Sequence, residues 1–366
     1  MKLTVLNSNL KQGLENVSYG ITTTGTLPIL SHILLEAKKS GLEITSTNLE
    51  LGIKVKVRAK VDKPGKVVVP FKIIYDFIIN NLDEKINFEL DKNNLKISTN
   101  HFKADILTIN PEEFPILPSV QNAEKIILKK KDFLNGIQKV IIAPTVDEIK
   151  PVLSGVLFWF QKNQLILVGT DGFRLAEQKI KQVKNNKESK NILPLKIVQV
   201  ALRILSKSLL DTFFIYFSEN QLKFEIGDAT IIGRLIEGEY PDYTQIIPKD
   251  FSTRLLLNKS EFERALRILS AFSQEANRQV KIEVKKDKLL IKANSPQIGS
   301  NEATIDANIE GSPASINFNS LYLLEGLSVI EEEELVFDLT GDLSPGVLKG
   351  KDNESFTYLV MPLRED

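Results

Sequence analysis

Cysteine is absent from the 366-residue chain, so neither a disulfide nor a thiolate metal site can be built from it, and a reducing compartment suits it. Histidine occurs only at His32 and His101, in unrelated settings. That excludes a histidine metal cluster or a shared histidine base. No apolar run approaches the ~20 residues needed to cross a bilayer, and Met1-Lys2-Leu3-Thr4-Val5 reads as an alternating strand rather than a signal peptide. A cytoplasmic location is expected, in which the Asn-x-Ser triplets at Asn16, Asn258 and Asn353 carry no meaning. Neither sign of charge is in excess, with 47 Lys+Arg against 47 Asp+Glu, so any contact with DNA requires charge segregated on one surface. Nucleotide loops are missing too. Gly341 and Gly346 have the phosphate-loop spacing, but Val347 and Leu348 stand where Lys and Ser/Thr are required, and no cofactor is expected.

What is present is repetition. Alternating strands closing on a turn recur at Gly41 to Asn48, Gln164 to Asp171 and Lys288 to Ser295, with Leu42, Leu165 and Leu289 standing 123 and 124 residues apart. A strand end running into an apolar helix recurs at Pro70, Pro194 and Asn319. Phe114-Pro115, Tyr240-Pro241 and Met361-Pro362 mark a third position. Each unit, at about 120 residues, has the size of an independent domain. Residues 1–122, 123–249 and 250–366 are therefore expected to be three similar domains. Short linkers are expected at Pro118 to Asn122 and Pro248 to Asp250, and a surface loop at Lys181 to Lys190.

Within each third the order is strand, helix, strands, helix, strands. Apolar residues fall at helical spacing in the first helices (Leu10, Leu14, Val17; Phe133, Leu134, Ile137, Val140, Ile141; Phe262, Ala265, Leu266, Leu269). They do so again in the second helices (Ile74, Phe77, Ile78; Ile197, Val200, Ala201, Ile204; Leu323, Leu324, Leu327). The fold class is α+β with antiparallel sheet dominating. Glu331 to Glu334 reads as a solvated turn.

Candidates for chemistry are few. Asp171-Gly172 reads either as a catalytic carboxylate on a tight loop, which makes a hydrolase the rival function, or as a turn in which Asp171 caps the backbone and Gly172 supplies a positive φ. The other repeats place turn residues at the same register, which favours the turn. Lys196, Arg203 and Lys207 fall within ~20° of one line on the helix after Pro194, with no acid on that helix. Lys131, Asn135 and Gln138 make a polar stripe on the preceding helix, and the third repeat offers Arg264 and Arg267 diluted by Glu261 and Glu263. Tyr358 to Leu363 is an apolar run near the chain end. It reads equally as a final core strand or, through Met361 beside Pro362, as part of a partner-binding groove.

Thr26-Leu27-Pro28-Ile29-Leu30, Pro151-Val152-Leu153-Ser154-Gly155, Gly169 to Ala176, Gly238-Glu239-Tyr240-Pro241-Asp242-Tyr243 and Val360-Met361-Pro362-Leu363-Arg364 stand in this order across the whole chain. Together they resemble the bacterial beta sliding clamp family, the processivity subunit of DNA polymerase III. The resemblance implies three similar domains per subunit forming half of a ring, closed as a homodimer around duplex DNA without sequence preference. It implies a role without catalysis: tethering the polymerase III alpha subunit, the clamp loader and repair polymerases through short linear peptides. The alternative is a scaffold of repeated domains that binds proteins but not DNA.

Transferred by motif, the peptide groove comprises Leu153, Thr170, Gly172, Phe173, Arg174, Leu175, Pro241 and Ile246 on one side. The other side comprises Leu343, Leu359, Val360, Met361, Pro362, Leu363 and Arg364. This turns the tail towards function. Phe173 stands where the family often has histidine, Gln245 where a basic residue can occur, and Glu365-Asp366 extend past the usual end. The loop Thr22 to Gly25 lacks the basic residue some clamps carry there. Lys131, Lys196, Arg203, Lys207 and Arg264 are expected to face DNA. Ala104 and Ile106 on an edge strand are expected to meet Ala271 and Phe272 of a second copy.

Overall fold

The computed structural model describes residues 1–22, 27–120, 123–145, 149–183, 187–273, 278–295, 297 and 299–364. Among them are six α-helices: α1 (Asn7–Val17), α2 (Phe71–Asn80), α3 (Lys130–Val140), α4 (Leu195–Lys207), α5 (Lys259–Ser273) and α6 (Ser320–Val329). They occur two to a third, where the apolar spacing predicts them, and most of the predicted faces are buried, from Leu10, Leu14 and Val17 in α1 to Leu323 and Leu327 in α6, while Phe77, Leu134 and Leu324 at the margins are half-buried. Small residues let the first helices approach their sheets. A Cβ on Gly13 would lie 2.5 Å from Val57 Cγ2, and one on Gly136, 123 residues later, 2.8 Å from Ile180 Cδ1.

The chain forms two compact units. The first comprises Met1–Lys130 and Lys196–Leu235, the second Lys131–Leu195 and Ile236–Asp366. All strand pairings within them are antiparallel.

The first unit holds a five-stranded sheet in the order Ala59–Lys63, Lys2–Leu6, Lys85–Asp91, Asn94–Ser98, Lys103–Leu107. Its eight-stranded sheet runs Glu124–Lys129, Thr212–Phe217, Gln221–Ile226, Ala229–Arg234, Leu51–Val57, Gly41–Thr47, His32–Lys38, Gly65–Pro70. The joint between the first and central thirds lies inside that sheet, with Ala229 opposite Val55 and Gly233 opposite Leu51.

The second unit holds a nine-stranded sheet in the order Ser189–Pro194, Gly155–Gln161, Gln164–Thr170, Arg174–Lys181, Phe356–Val360, Gly346–Gly350, Glu334–Leu339, Thr253–Asn258, Asn308–Gly311. Here the joint between central and last thirds sets Arg174 opposite Val360. A four-stranded sheet of Gly299–Asp306, Lys288–Ser295, Gln279–Lys285 and Ala314–Asn319 completes the unit. The central third thus contributes strands to both units, and for that reason the three repeats do not separate as three compact bodies.

Candidate functional site

The turn after strand Gln164–Thr170 is built by its own side chains. Asp171 Oδ1 accepts from the backbone N–H of Phe173 at 2.8 Å and of Arg174 at 3.0 Å, while Thr170 Oγ1 accepts from Gly172 N at 3.0 Å and donates to the Arg174 carbonyl at 2.6 Å. Gly172 has φ +89°. The first repeat makes the same turn. Asn48 Oδ1 accepts from Glu50 N and Leu51 N at 3.1 and 2.8 Å, Thr47 Oγ1 donates to the Leu51 carbonyl at 3.0 Å, and Leu49 has φ +77°. Asp171 therefore does the work Asn48 does as an amide. Its second oxygen accepts from Arg174 Nε at 3.1 Å. The Arg174 guanidinium, buried at 6% exposure, also touches the Glu325 carboxylate and lies over the Tyr322 ring, 4.5 Å from its centroid.

This turn adjoins the chain end. Strand Phe356–Val360 pairs with Arg174–Lys181, and just past it Met361 N donates to the Phe173 carbonyl at 2.8 Å. Two positions later Leu363 N donates to the Asn317 carbonyl at 2.8 Å. Beneath lies a cluster of buried apolar side chains that includes Leu175, Val168, Tyr243, Val347 and Leu359, and against it pack the half-buried Val152, Tyr240, Ile247, Phe251 and Met361. Burial pushes the Tyr240 and Tyr243 hydroxyls far above the usual tyrosine range, and that of Tyr358, which donates to the Tyr322 carbonyl at 2.9 Å, up to about 12.

The residues expected in the groove divide by depth. Leu153, Thr170, Arg174, Leu175, Leu359 and Val360 are buried and offer no surface of their own. Met361, Pro362 and Leu363 are half-buried, and Gly172, Pro241 and Arg364 are exposed. Phe173, Ile246 and Leu343 are exposed at 62%, 44% and 77%, unusually open for large apolar side chains. Gln245 turns its amide to Asp242 Oδ2 at 2.8 Å, and hydrogen bonding by Thr244, then by Gln245, holds the Asp242 carboxyl below the usual range. Val152 and Ile247 sit in short apolar stretches and Phe251 stands alone between Asp250 and Ser252, so none of the three carried a signal of its own in the sequence. Glu365-Asp366 and the loop Thr23 to Thr26 lie outside the described residues.

On α4, Lys196, Arg203 and Lys207 are all exposed on the face opposite the buried Ile197, Val200, Ala201 and Ile204. Lys207 Nζ lies 3.5 Å from a Glu15 carboxylate oxygen, and Arg203 stacks on Tyr19 with its guanidinium carbon 5.5 Å from the ring centroid. Tyr19, then Glu15, raise the Lys207 pKa, so its charge is secure. Lys131 is exposed on α3, with Asn135 and Gln138. On α5 Arg264 is exposed and Arg267 is held by Glu263 at 2.5 Å.

Lys103–Leu107 is an edge strand, but Ile106 is 6% exposed and points into its own core, with Ala104 on the same inward side. The apolar side chains displayed there are Phe102 and Leu107, at 54% and 77% exposure. The alternation Lys103-Ala104-Asp105-Ile106 held that signal. Ala271 is exposed and Phe272 half-exposed at the end of α5, which packs on strand Gly299–Asp306.

Two helices per third and antiparallel sheets shared between thirds make this a three-domain sliding-clamp fold. Residues 1–118, 127–242 and 244–364 match, in turn, the N-terminal, central and C-terminal domains of the DNA polymerase III beta subunit. The beta sliding clamp of Staphylococcus epidermidis is 30% identical over 100% of this chain and 99% of its own length, and that of Staphylococcus aureus 32% over 99% and 97%. Among solved structures, the Bacillus subtilis DNA polymerase sliding clamp superposes with a TM-score of 0.95 at 25% identity. The Thermotoga maritima DNA polymerase III beta subunit does so with 0.93 at 27%, each over 100% of both chains. The chain belongs to the DNA polymerase III beta subunit family.

Proposed function

We propose that two copies of this chain close into a ring around duplex DNA and slide on it. The ring tethers the polymerase III alpha subunit, the clamp loader and repair polymerases by peptides seated in the groove beside Met361, with no turnover of its own. One observation carries the reading. Strands Leu51–Val57 and Arg174–Lys181 each follow the same turn, and each pairs with the last strand of the next repeat, Ala229–Arg234 and Phe356–Val360. The remaining members of the series are Gly299–Asp306 and Lys103–Leu107, and both are sheet edges. Pairing the one with the other from a second copy makes the same joint a third time. It also removes two open edges that a monomer would leave as aggregation templates. The repeat boundaries 1–122, 123–249 and 250–366 belong to the same proposal.

Sequence-independent sliding suits exposed lysines and arginines such as Lys131, Lys196, Arg203, Lys207 and Arg264, which meet phosphates and carry no base-reading geometry. The test is topological. Protein loaded on nicked circular DNA should stay bound through high salt and leave when the circle is cut. Equal retention on circular and linear DNA would support a protein-binding scaffold instead.

A further inference from the structure

A cleft of about 1470 Å³ opens in the first unit between α1, the last turn of α4 and the far end of strand Leu51–Val57 from its Thr47 turn. It is larger than the ~300–1,000 Å³ typical of small-ligand pockets. Its rim is cationic: Lys56, Arg58, Lys60 and Lys85 line it, all are exposed, and none forms an ion pair among the described residues. Two carboxylates, Glu15 and Asp228, face these charges, and Glu15 is engaged by Lys207 at 3.5 Å. Beside the cations stand Leu6, Leu209 and Leu210, with exposures of 38%, 101% and 39%. The first turn of α1, which also lines the cleft, has no acidic residue and no side-chain cap, and its Asn7 N–H is met by the Glu84 carbonyl at 2.8 Å, so no carboxylate offsets the positive end of the helix.

We infer that this cleft is a second docking site, separate from the groove at Met361, and that it receives an acidic linear peptide carrying an aliphatic or aromatic anchor. The charge imbalance selects a polyanion, and the open leucines select against a bare phosphate chain, to which they offer nothing. A peptide alternating carboxylates with an apolar side chain satisfies both surfaces, the anchor burying Leu209 and Leu210 while carboxylates meet Arg58, Lys60 and Lys85.

The probe is a fluorescein-labelled peptide of six glutamates around a central Leu-Phe pair, followed by anisotropy on the full-length protein. Reversal of Arg58, Lys60 and Lys85 to glutamate, all at exposed positions, should weaken it by at least about tenfold. Leu209→Asp, at a fully exposed position, should weaken it without affecting folding, and Met361→Ala should leave it unchanged. A probe with glycine replacing Leu-Phe should bind at least about tenfold more weakly. The inference is overturned if reversal or Leu209→Asp leaves affinity intact, if Met361→Ala removes binding, or if the glycine probe binds equally. It is also overturned if a DNA duplex displaces the probe and loses affinity by the same factor on reversal, which would make the cleft a phosphate site.

Discussion

Met361 donates its main-chain N–H to the carbonyl oxygen of Phe173 at 2.8 Å, joining the chain end to a turn 188 residues earlier. That bond sets the half-buried Met361 side chain on the cluster of Leu175 and Leu359, beside the exposed Phe173. An adaptable thioether over an apolar floor is suited to varied peptide anchors. Met361→Ala should lower the affinity of clamp-binding peptides at least about tenfold, measured by anisotropy, with folding little changed. Ending the chain after Val360 should do the same. Ending it before Leu359 removes two fully buried side chains and should also cost several kcal/mol of stability, on the order of 2–5 for the leucine alone.

The turn that carries Phe173 is strained in one repeat and relaxed in the other. Leu49 has φ +77° and Gly172 φ +89°, and a Cβ on Gly172 would meet nothing within 4 Å. Gly172→Ala should therefore destabilise through backbone conformation alone, by about 1–2 kcal/mol, and Leu49→Gly should stabilise by up to about 1 kcal/mol. Urea midpoints of the two variants should move in opposite directions.

Charge on α4 should govern the electrostatic hold on DNA. Reversing Lys196, Arg203 and Lys207 to glutamate should weaken binding to linear duplex, where enclosure does not retain the ring, and flatten its dependence on salt, the log–log slope falling by about 0.9 for each lost phosphate contact. Reversing Arg267, which is already held by Glu263, should have a smaller effect than reversing Arg264.

Phe272→Glu should yield monomers in size exclusion, because the side chain is half-exposed at the end of the helix that packs on edge strand Gly299–Asp306. Ile106→Glu should instead unfold the five-stranded sheet, since that side chain is buried. Circular dichroism separates the two outcomes.

Tyr358 is fully buried with its pKa pushed to about 12 from 10.0, first by burial. A raised folded pKa gives stability that is complete below the unfolded value and is lost as pH rises through the folded one. Stability should therefore decline between pH 10 and 12, followed by tyrosinate absorbance and urea midpoints. Tyr358→Phe should blunt that decline.

The three repeats and six helices were legible because turn residues and helical faces are local patterns that keep a period. Asn48 and Asp171 announce the same turn in sequence because each must supply an oxygen to two backbone donors. The sharing of sheets between thirds was not legible. Pairing Val55 with Ala229, or Arg174 with Val360, joins residues far apart in the chain, and strand alternation does not name a partner. The same gap hid the joint that carries the ring proposal. The acidic run at Glu331 to Glu334 is largely solvated, as its composition suggests: Glu331, Glu333 and Glu334 are exposed, while Glu332 accepts from Asn353 at 2.8 Å and Glu334 pairs with Lys351 at 2.8 Å at the surface.

Because the chain has no cysteine, the proposed closure can be locked without background. Asp105→Cys, combined in turn with Ser300→Cys, Asn301→Cys and Glu302→Cys, places thiols on the two open edges. After loading on circular DNA and oxidation, at least one pair should give a dimer that stays with the circle through denaturant and is freed when the DNA is cut. A cross-linked dimer that leaves intact circles in denaturant, or no cross-link at any pair, would contradict enclosure.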